Sequence, residues 1–459
     1  MSSQNEVVLS RSPHDGELLH EGPADTVSAV ERAVEQARSA GRAWFAMPDT
    51  ARADALSAAA RALENRRELL ADLISREVGK PIVEAEGEVT RGAAILRYHA
   101  QTGLMPQGDV YGGPNRSALS YAVRRPRGVA GLITPWNFPV AIPLWKAAPA
   151  LAAGNAVVLK PSPESTAVAL MISEVLGECL PEGLFRVVTG HAATGDALVA
   201  TADAVSFTGS TKVGAEIRTL ASARAVPLQS ELGGQNAALV LRDADVEAAA
   251  TAIAAAAVSY AGQKCTATRR VIVEGDALAF AEVLTAAVAR LKVGDPADRD
   301  TAVGPVIGPG AAADVRAAVA EAVELGGRRT GVGRPQDEDE GNYVRPSVLA
   351  GVATGRLVTT EVFGPAVSVH GVESLEGAVE LANSVDAGLV ASVHTSDLGR
   401  AVRAVEELEV GLVRVNTPTT GLDVHVPFGG TKGSSYGPSE QGMAAREFFT
   451  HWKTILIQT

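Results

Sequence analysis

Val129-Ala130-Gly131-Leu132-Ile133-Thr134-Pro135-Trp136-Asn137-Phe138-Pro139 is the stretch whose reading decides the fold. Its first five residues are apolar or glycine, and two prolines close the segment, so it predicts a short strand over 129–133 running into a rigid loop. A helix over 141–151 follows, then a strand over 156–159, a helix over 164–179, and strands over 185–188 and 204–207. Short strands alternating with helices specify a parallel sheet wound on both faces. Sheets of that kind bind ligands beyond the C-terminal ends of their strands. Asn137, held between the two prolines, carries an amide that can be aimed at a developing negative charge, although a plain turn residue would fit as well.

The other strand ends carry the remaining unusual residues. The strand ending at Leu159 leads into Lys160-Pro161-Ser162, a cation at a loop. The strand ending at Phe207 leads into Thr208-Gly209-Ser210-Thr211 and a helix, whose first amides could accept a phosphate or simply be capped by Ser210. Leu228-Gln229-Ser230-Glu231-Leu232-Gly233-Gly234 places a carboxylate before a glycine pair. Buried, that Glu231 would have its pKa raised toward working pH and could act as a general base; exposed, it would be an ordinary strand-end residue. Gly262-Gln263-Lys264-Cys265-Thr266 lies between an Ala-rich helical run and a strand over 269–273. Cys265 there reads as a nucleophile, a few per cent thiolate at an ordinary pKa of ~8.5, against the alternative of a buried apolar cysteine.

Upstream, residues 6–22 read as short strands turning at His14-Asp15-Gly16. Packing helices are predicted over 26–44, 50–77 and 82–102, the second from Leu56, Leu63, Leu70 and Ile74 and ended by Gly79 and Pro81. Residues 268–400 repeat the strand and helix alternation with a second topology and contain Glu361-Val362-Phe363-Gly364-Pro365. The polar, charge-rich 326–341 reads as a surface excursion. The tail holds Pro427-Phe428-Gly429-Gly430 and ends in an apolar strand over 454–457 with no evident partner in its own sheet, an edge that a second subunit would cover.

A chain of 459 residues is expected to form two or three domains. The formal charge of −12 argues against a nucleic-acid partner. The first residues have neither a basic region nor an apolar run, so the expected location is cytoplasmic. The apolar run over 248–262 is shorter than a membrane span and reads as a buried helix. Cys179 and Cys265 give neither a disulfide framework nor zinc spacing, so no metal is expected, and Cys179 reads as packing.

Seven segments together resemble the aldehyde dehydrogenase superfamily along the whole chain: 135–139, 160–162, 207–211, 231–234, 262–265, 361–365 and 427–430. The resemblance implies an α/β fold with a Rossmann-type cofactor domain, an α/β catalytic domain and a small oligomerisation arm. The cofactor domain would take residues 1–107 and 127–232 with 432–445, the catalytic domain 233–431, and the arm 108–126 with 446–459. Cys265 would attack the aldehyde, Asn137 and the Cys265 N–H would hold the oxyanion, and Glu231 would activate water to hydrolyse the thioester. NAD or NADP would be held by Trp136, Lys160, Ser162, Gly209, Ser210, Glu361 and Phe363, with Lys160 and Ser210 at the adenosine ribose and pyrophosphate and Glu361 at the nicotinamide ribose. The partners implied are a small-molecule aldehyde and further copies of the chain in a homodimer or homotetramer, with no nucleic acid and no membrane.

Many NAD-preferring members have an acid three residues after the motif lysine; here that position is Pro163 and the acid is Glu164, which leaves NAD against NADP open. The fit is nearest to the branch oxidising 2-oxoglutarate semialdehyde (2,5-dioxopentanoate), on 262–268, 432–438 and Glu440-Gln441-Gly442. Phe138, Lys264 and Phe428 are the expected substrate contacts, and a carboxylated substrate would need a cation, for which Lys264 or Arg97 are the candidates. Oxidation of aromatic or simple aliphatic aldehydes, a CoA-acylating enzyme, a cofactor-free esterase and a catalytically silent relative of the fold are the alternatives. The acid at 231 speaks against CoA acylation, because activated water would compete with CoA for the thioester.

Overall fold

The computed structural model describes residues 6–112, 118–330 and 341–458. At its centre Val129–Thr134 is buried along its whole length, as expected of a strand with helices on both faces. It pairs in parallel with Ala156–Pro161 on one side and Ala204–Thr208 on the other. Phe185–Val187 extends the sheet beyond the first, Leu228–Glu231 beyond the second, and Ser435–Tyr436 adds an antiparallel edge. Chain order therefore reverses between Val129–Thr134 and Ala204–Thr208, and a crevice opens at their C-terminal ends. The loops 134–139 and 208–211 lie there.

A second sheet, with Ala237–Val240 near its middle, runs in parallel through Arg270–Glu274, Ala366–Val372 and Ser347–Ala350 to one side, and Val390–His394 and Leu412–Val415 to the other. Arg328–Arg329 closes one edge antiparallel. The main apolar core lies around the first sheet and the N-terminal helices, and two further cores flank the second. These are the two α/β units and mixed layers that the alternation predicts. No helix among the described residues is long and apolar enough to cross a membrane.

Three sequence expectations change. The helix read over 50–77 is two helices, Asp49–Asn65 and Arg67–Val78, broken at Arg66 with φ −106° and ψ 16°. Leu56, Leu63 and Leu70 stay buried across the break, so the apolar stripe carries no sign of it. The helix read over 164–179 opens as a 3-10 turn, Pro163–Ser165, continues as Thr166–Gly177, and leaves Cys179 beyond its end, packed against the main core. The C-terminal strand is longer than expected, Thr450–Gln458, and does have a partner in its own chain: it pairs antiparallel with Ala118–Pro126, which pairs with Gly108–Tyr111. The outer edge of Thr450–Gln458 pairs with no described strand, and Leu456 is 75% exposed. Of the expected surface excursion, 331–340 lies outside the described residues, as do 113–117 of the expected arm.

Candidate active site

The nucleophile segment is built on backbone strain. The Ala-rich run forms the helix Val246–Val258, after which Tyr260, Ala261 and Gly262 all adopt left-handed φ, at 53°, 51° and 67°. That conformation costs a residue with a side chain roughly 1–2 kcal/mol, so packing must enforce it. Tyr260 is buried, donates its hydroxyl to Val78 O at 3.2 Å and faces the Lys80 ammonium, 4.7 Å from its ring centre. A Cβ at Gly262 would collide with the Gly364 carbonyl, so glycine is required there. Beyond the turn, the buried Arg269 guanidinium donates to the carbonyls of Gly262 at 2.7 Å and Gly364 at 2.9 Å. Asn236 Nδ2 donates to Cys265 O at 2.7 Å. The backbone around Cys265 is thus fixed while its side chain, half-buried, faces a cavity of about 230 Å³.

Asn137 is brought to the same place. Glu88, paired with the buried Lys80, accepts from the N–H groups of Val140 (2.8 Å) and Ala141 (2.9 Å) and so caps the helix Ala141–Ala152. The Lys80 ammonium also lies 3.8 Å from the Phe138 ring centre, tying the loop 134–139 to the Tyr260 turn through one cation. Asn137 is buried, and its Nδ2 donates to Gln263 O at 3.0 Å, two residues before the nucleophile. One amide hydrogen is thereby anchored and the other is left free to donate.

Glu231 ends the strand Leu228–Glu231 and is 1% exposed. Its Oε2 accepts from Ser435 Oγ at 2.8 Å, whereas Oε1 has no hydrogen-bond partner among the described residues. Burial first, and then the charge of Glu440, hold its pKa well above the usual carboxylate range, opposed by the Ser435 bond and Lys146. Lys146 is buried, pairs with Glu440 and donates to Ser206 Oγ at 2.8 Å. Cys265 is close enough to Glu231, Glu361 and Glu440 for their charges to add to burial in pushing its thiol well above the ordinary value. This corrects the expectation of an ordinary thiol: burial and the neighbouring carboxylates favour the neutral thiol over the thiolate.

At the crevice of the first sheet a groove of about 400 Å³ is lined by Trp136, Lys160, Ser162, Gly209 and Ser210. Two buried hydroxyls at strand ends on its wall, Thr134 Oγ1 and Thr208 Oγ1, have no partner among the described residues. Ser210 accepts from Val213 N at 3.4 Å as N-cap of the helix Thr211–Ala223, so the capping alternative holds, and both residues also line the groove. Lys160 is buried, donates to Pro161 O at 2.9 Å, and has its pKa lowered to about 8 by burial. Glu164 is bonded by Ser162 Oγ rather than lining the groove. Glu361 is pushed up to about 7 by burial, opposed by Arg269 3.8 Å away, and its Oε1 has no hydrogen-bond partner among the described residues. Phe363 meets Trp136 edge-on at 5.7 Å. Orphan hydroxyls, a half-free carboxylate, a cation and a helix start fit a ligand with ribose hydroxyls and phosphates.

Phe138, Lys264 and Phe428 line the Cys265 cavity as expected. Two cation assignments fail. Lys264 Nζ pairs with Glu84 Oε2 at 2.8 Å and donates to Ser259 Oγ at 2.9 Å, so its charge is already matched. Arg97 pairs with the exposed Glu64 and is not part of the cavity wall. Gln441, quoted above only as part of Glu440-Gln441-Gly442, also lines that wall; sequence reasoning missed Arg91, Trp145, Thr419 and Thr420 there. They come from helices and loops without a motif, and Arg91 reads as one more polar position on a packing helix.

A fold of two α/β units, with Cys265 on a cavity near the buried Glu231 and a groove at the crevice of the first sheet that fits ribose and phosphate, is that of a dinucleotide-dependent dehydrogenase. The chain belongs to the aldehyde dehydrogenase family, whose model matches residues 1–455. It is therefore an oxidoreductase that oxidises aldehydes with NAD or NADP. It is 38% identical over 470 aligned positions to the alpha-ketoglutaric semialdehyde dehydrogenase of Bacillus subtilis, covering 100% of this chain and 96% of that one. It is 38% identical to the alpha-ketoglutarate semialdehyde dehydrogenase of Haloferax volcanii, over 95% of this chain and 91% of the other. The NADP-dependent glyceraldehyde-3-phosphate dehydrogenase of Bacillus halodurans, solved with NADP, superposes with a TM-score of 0.92 at 34% identity, over 99% of this chain and 96% of that one.

Proposed function

We propose that the chain oxidises 2-oxoglutarate semialdehyde to the dicarboxylic acid through a covalent adduct on Cys265. The observation that carries the chemistry is Glu231: a buried carboxylate with an unpartnered oxygen, close enough to Cys265 to shift its thiol. The Cys265 thiol gives its proton to solvent and Sγ attacks the aldehyde carbon, the C=O pair moves to oxygen, and that oxygen is held by Asn137 Nδ2 and the Cys265 N–H. Trp136, Lys160, Ser162, Gly209, Ser210, Glu361 and Phe363 would hold NAD or NADP, which would supply the two-electron acceptor for oxidation of the aldehyde carbon to the acyl level. Glu231 then takes a proton from water, whose oxygen attacks the thioester carbon and expels the Cys265 thiolate, releasing the acid. The substrate reading is supported by what the two curated relatives act on. Equal kcat/KM for benzaldehyde and the semialdehyde would overturn it, and a rate that depends on CoA would overturn hydrolysis.

Asn137→Ala is expected to lower kcat roughly 10²- to 10³-fold, as loss of one oxyanion donor does. Cofactor affinity, read from quenching of NADPH fluorescence, should stay within a few-fold, because the bond from Asn137 to Gln263 O lies on the cysteine side of the site.

We also assign residues 108–126 and 446–459 to an oligomerisation element, and 1–107, 127–232 and 432–445 to a cofactor domain facing a catalytic domain over 233–431. The open edge of Thr450–Gln458 and the 77% exposed Val110 support the first assignment. Leu456→Glu combined with Val110→Glu should convert a dimer or tetramer to smaller species in sedimentation velocity; an unchanged sedimentation coefficient would refute that element.

A further inference from the structure

The Cys265 cavity carries three charged side chains, Glu84, Lys264 and Arg91. Glu84 and Lys264 neutralise each other at 2.8 Å, and Arg91 forms no ion pair among the described residues. Apart from the Cys265 thiol and the Gln441 amide, the rest of the wall is apolar or hydroxyl-bearing, with Phe138, Trp145, Leu422 and Phe428 forming the greasy part. A matched pair plus one unmatched guanidinium leaves the cavity with a single net positive charge.

Arg91 is also held in place. It projects from the helix Ile82–Thr102, is half-buried, and donates through Nη1 to Leu422 O and through Nη2 to Gln441 Oε1 at 3.0 Å. Those contacts engage two of its five N–H donors and leave the others for a ligand. Gln441, which anchors it, is 2% exposed and sits at φ 58° and ψ 173°, a region that side-chain-bearing residues rarely occupy. Strain at a residue that fixes a pocket cation is what a preorganised recognition site contains. Asp423 and Glu88 favour the charged guanidinium from a distance while burial opposes it, and an arginine stays protonated against such burial.

We infer that Arg91 is the specificity residue of the pocket: it holds the 2-oxo-carboxylate end of the substrate while the aldehyde end meets Cys265. Four C–C bonds separate the two ends of a five-carbon semialdehyde, roughly 5 Å when extended, so one small cavity can serve both. A planar guanidinium matches a carboxylate bidentately, which a point-charge ammonium does not. The inference rests on the carboxylated-substrate reading above.

The test compares kcat/KM for 2-oxoglutarate semialdehyde and for pentanal, a neutral aldehyde of the same length, in the wild type, Arg91→Met and Arg91→Lys. In the wild type the semialdehyde should be strongly preferred; equal values would overturn the substrate reading itself. In Arg91→Met the semialdehyde should lose roughly 30- to 1,000-fold, mostly through KM, while pentanal stays within about threefold. Arg91→Lys should recover part of the loss. A wild-type preference that survives in Arg91→Met would overturn the role of Arg91 alone. So would an equal fall for both aldehydes, because that is the signature of a bond to Leu422 and Gln441 lost for purely structural reasons.

Discussion

Cys265→Ser is expected to abolish aldehyde oxidation, with kcat/KM down by at least roughly 10³-fold, measured as NADH or NADPH formation at 340 nm. A serine hydroxyl gives up its proton far less readily than a thiol and is a far weaker nucleophile than sulfur. The fold should survive. Cys265 is half-buried on a cavity wall rather than packed in the core, and its backbone is held by Asn236 and Arg269 through carbonyls that serine retains. Unchanged NADPH binding together with lost turnover is the expected pair of results. Intact-protein mass spectrometry of the wild type with aldehyde and cofactor should show an adduct that the variant lacks. Turnover within tenfold of the wild type would refute a covalent role for this sulfur.

The chemistry proposed here was legible because it sits at strand ends, where short apolar runs stop and glycine or proline takes over. Val129–Thr134 announces itself as a fully buried strand, and everything after it in the first sheet follows by alternation. What stayed hidden has definite physical causes. The break at Arg66 falls inside an apolar stripe that continues across it. The left-handed turn at Tyr260–Gly262 follows an Ala-rich run whose propensity says helix, and packing against Val78 and Lys80 overrides it. The partner of the C-terminal strand lies more than 300 residues earlier in the chain, so no local pattern can report it. Charge matching is equally invisible: Lys264 beside the nucleophile looked free, and only its contact with Glu84 shifts attention to Arg91.

Glu231→Gln separates the two halves of the reaction. Steady-state turnover should fall roughly 10²- to 10⁴-fold, the usual contribution of a general base. Rapid mixing should still give a burst of reduced cofactor of up to one equivalent per site, after which the acyl group remains on Cys265 and can be weighed. Hydroxylamine, a nucleophile that needs no base, should restore turnover by cleaving that thioester. In the wild type deacylation should speed up as pH rises, because the working form of Glu231 is the carboxylate and its pKa is raised; in the variant this dependence should flatten. The same shift has a stability consequence of definite sign. A carboxyl whose pKa is higher folded than unfolded binds its proton more tightly in the native state, so its contribution is complete below the unfolded value of about 4.3 and is lost as pH climbs from there through the raised folded value. Glutamine cannot ionise, so the difference in Tm between Glu231→Gln and the wild type should move in favour of the variant as pH increases from 5 to 9. A constant difference across that range would mean that Glu231 is not a buried, proton-retaining acid, and the case for it as the base that waits for water would fall with it.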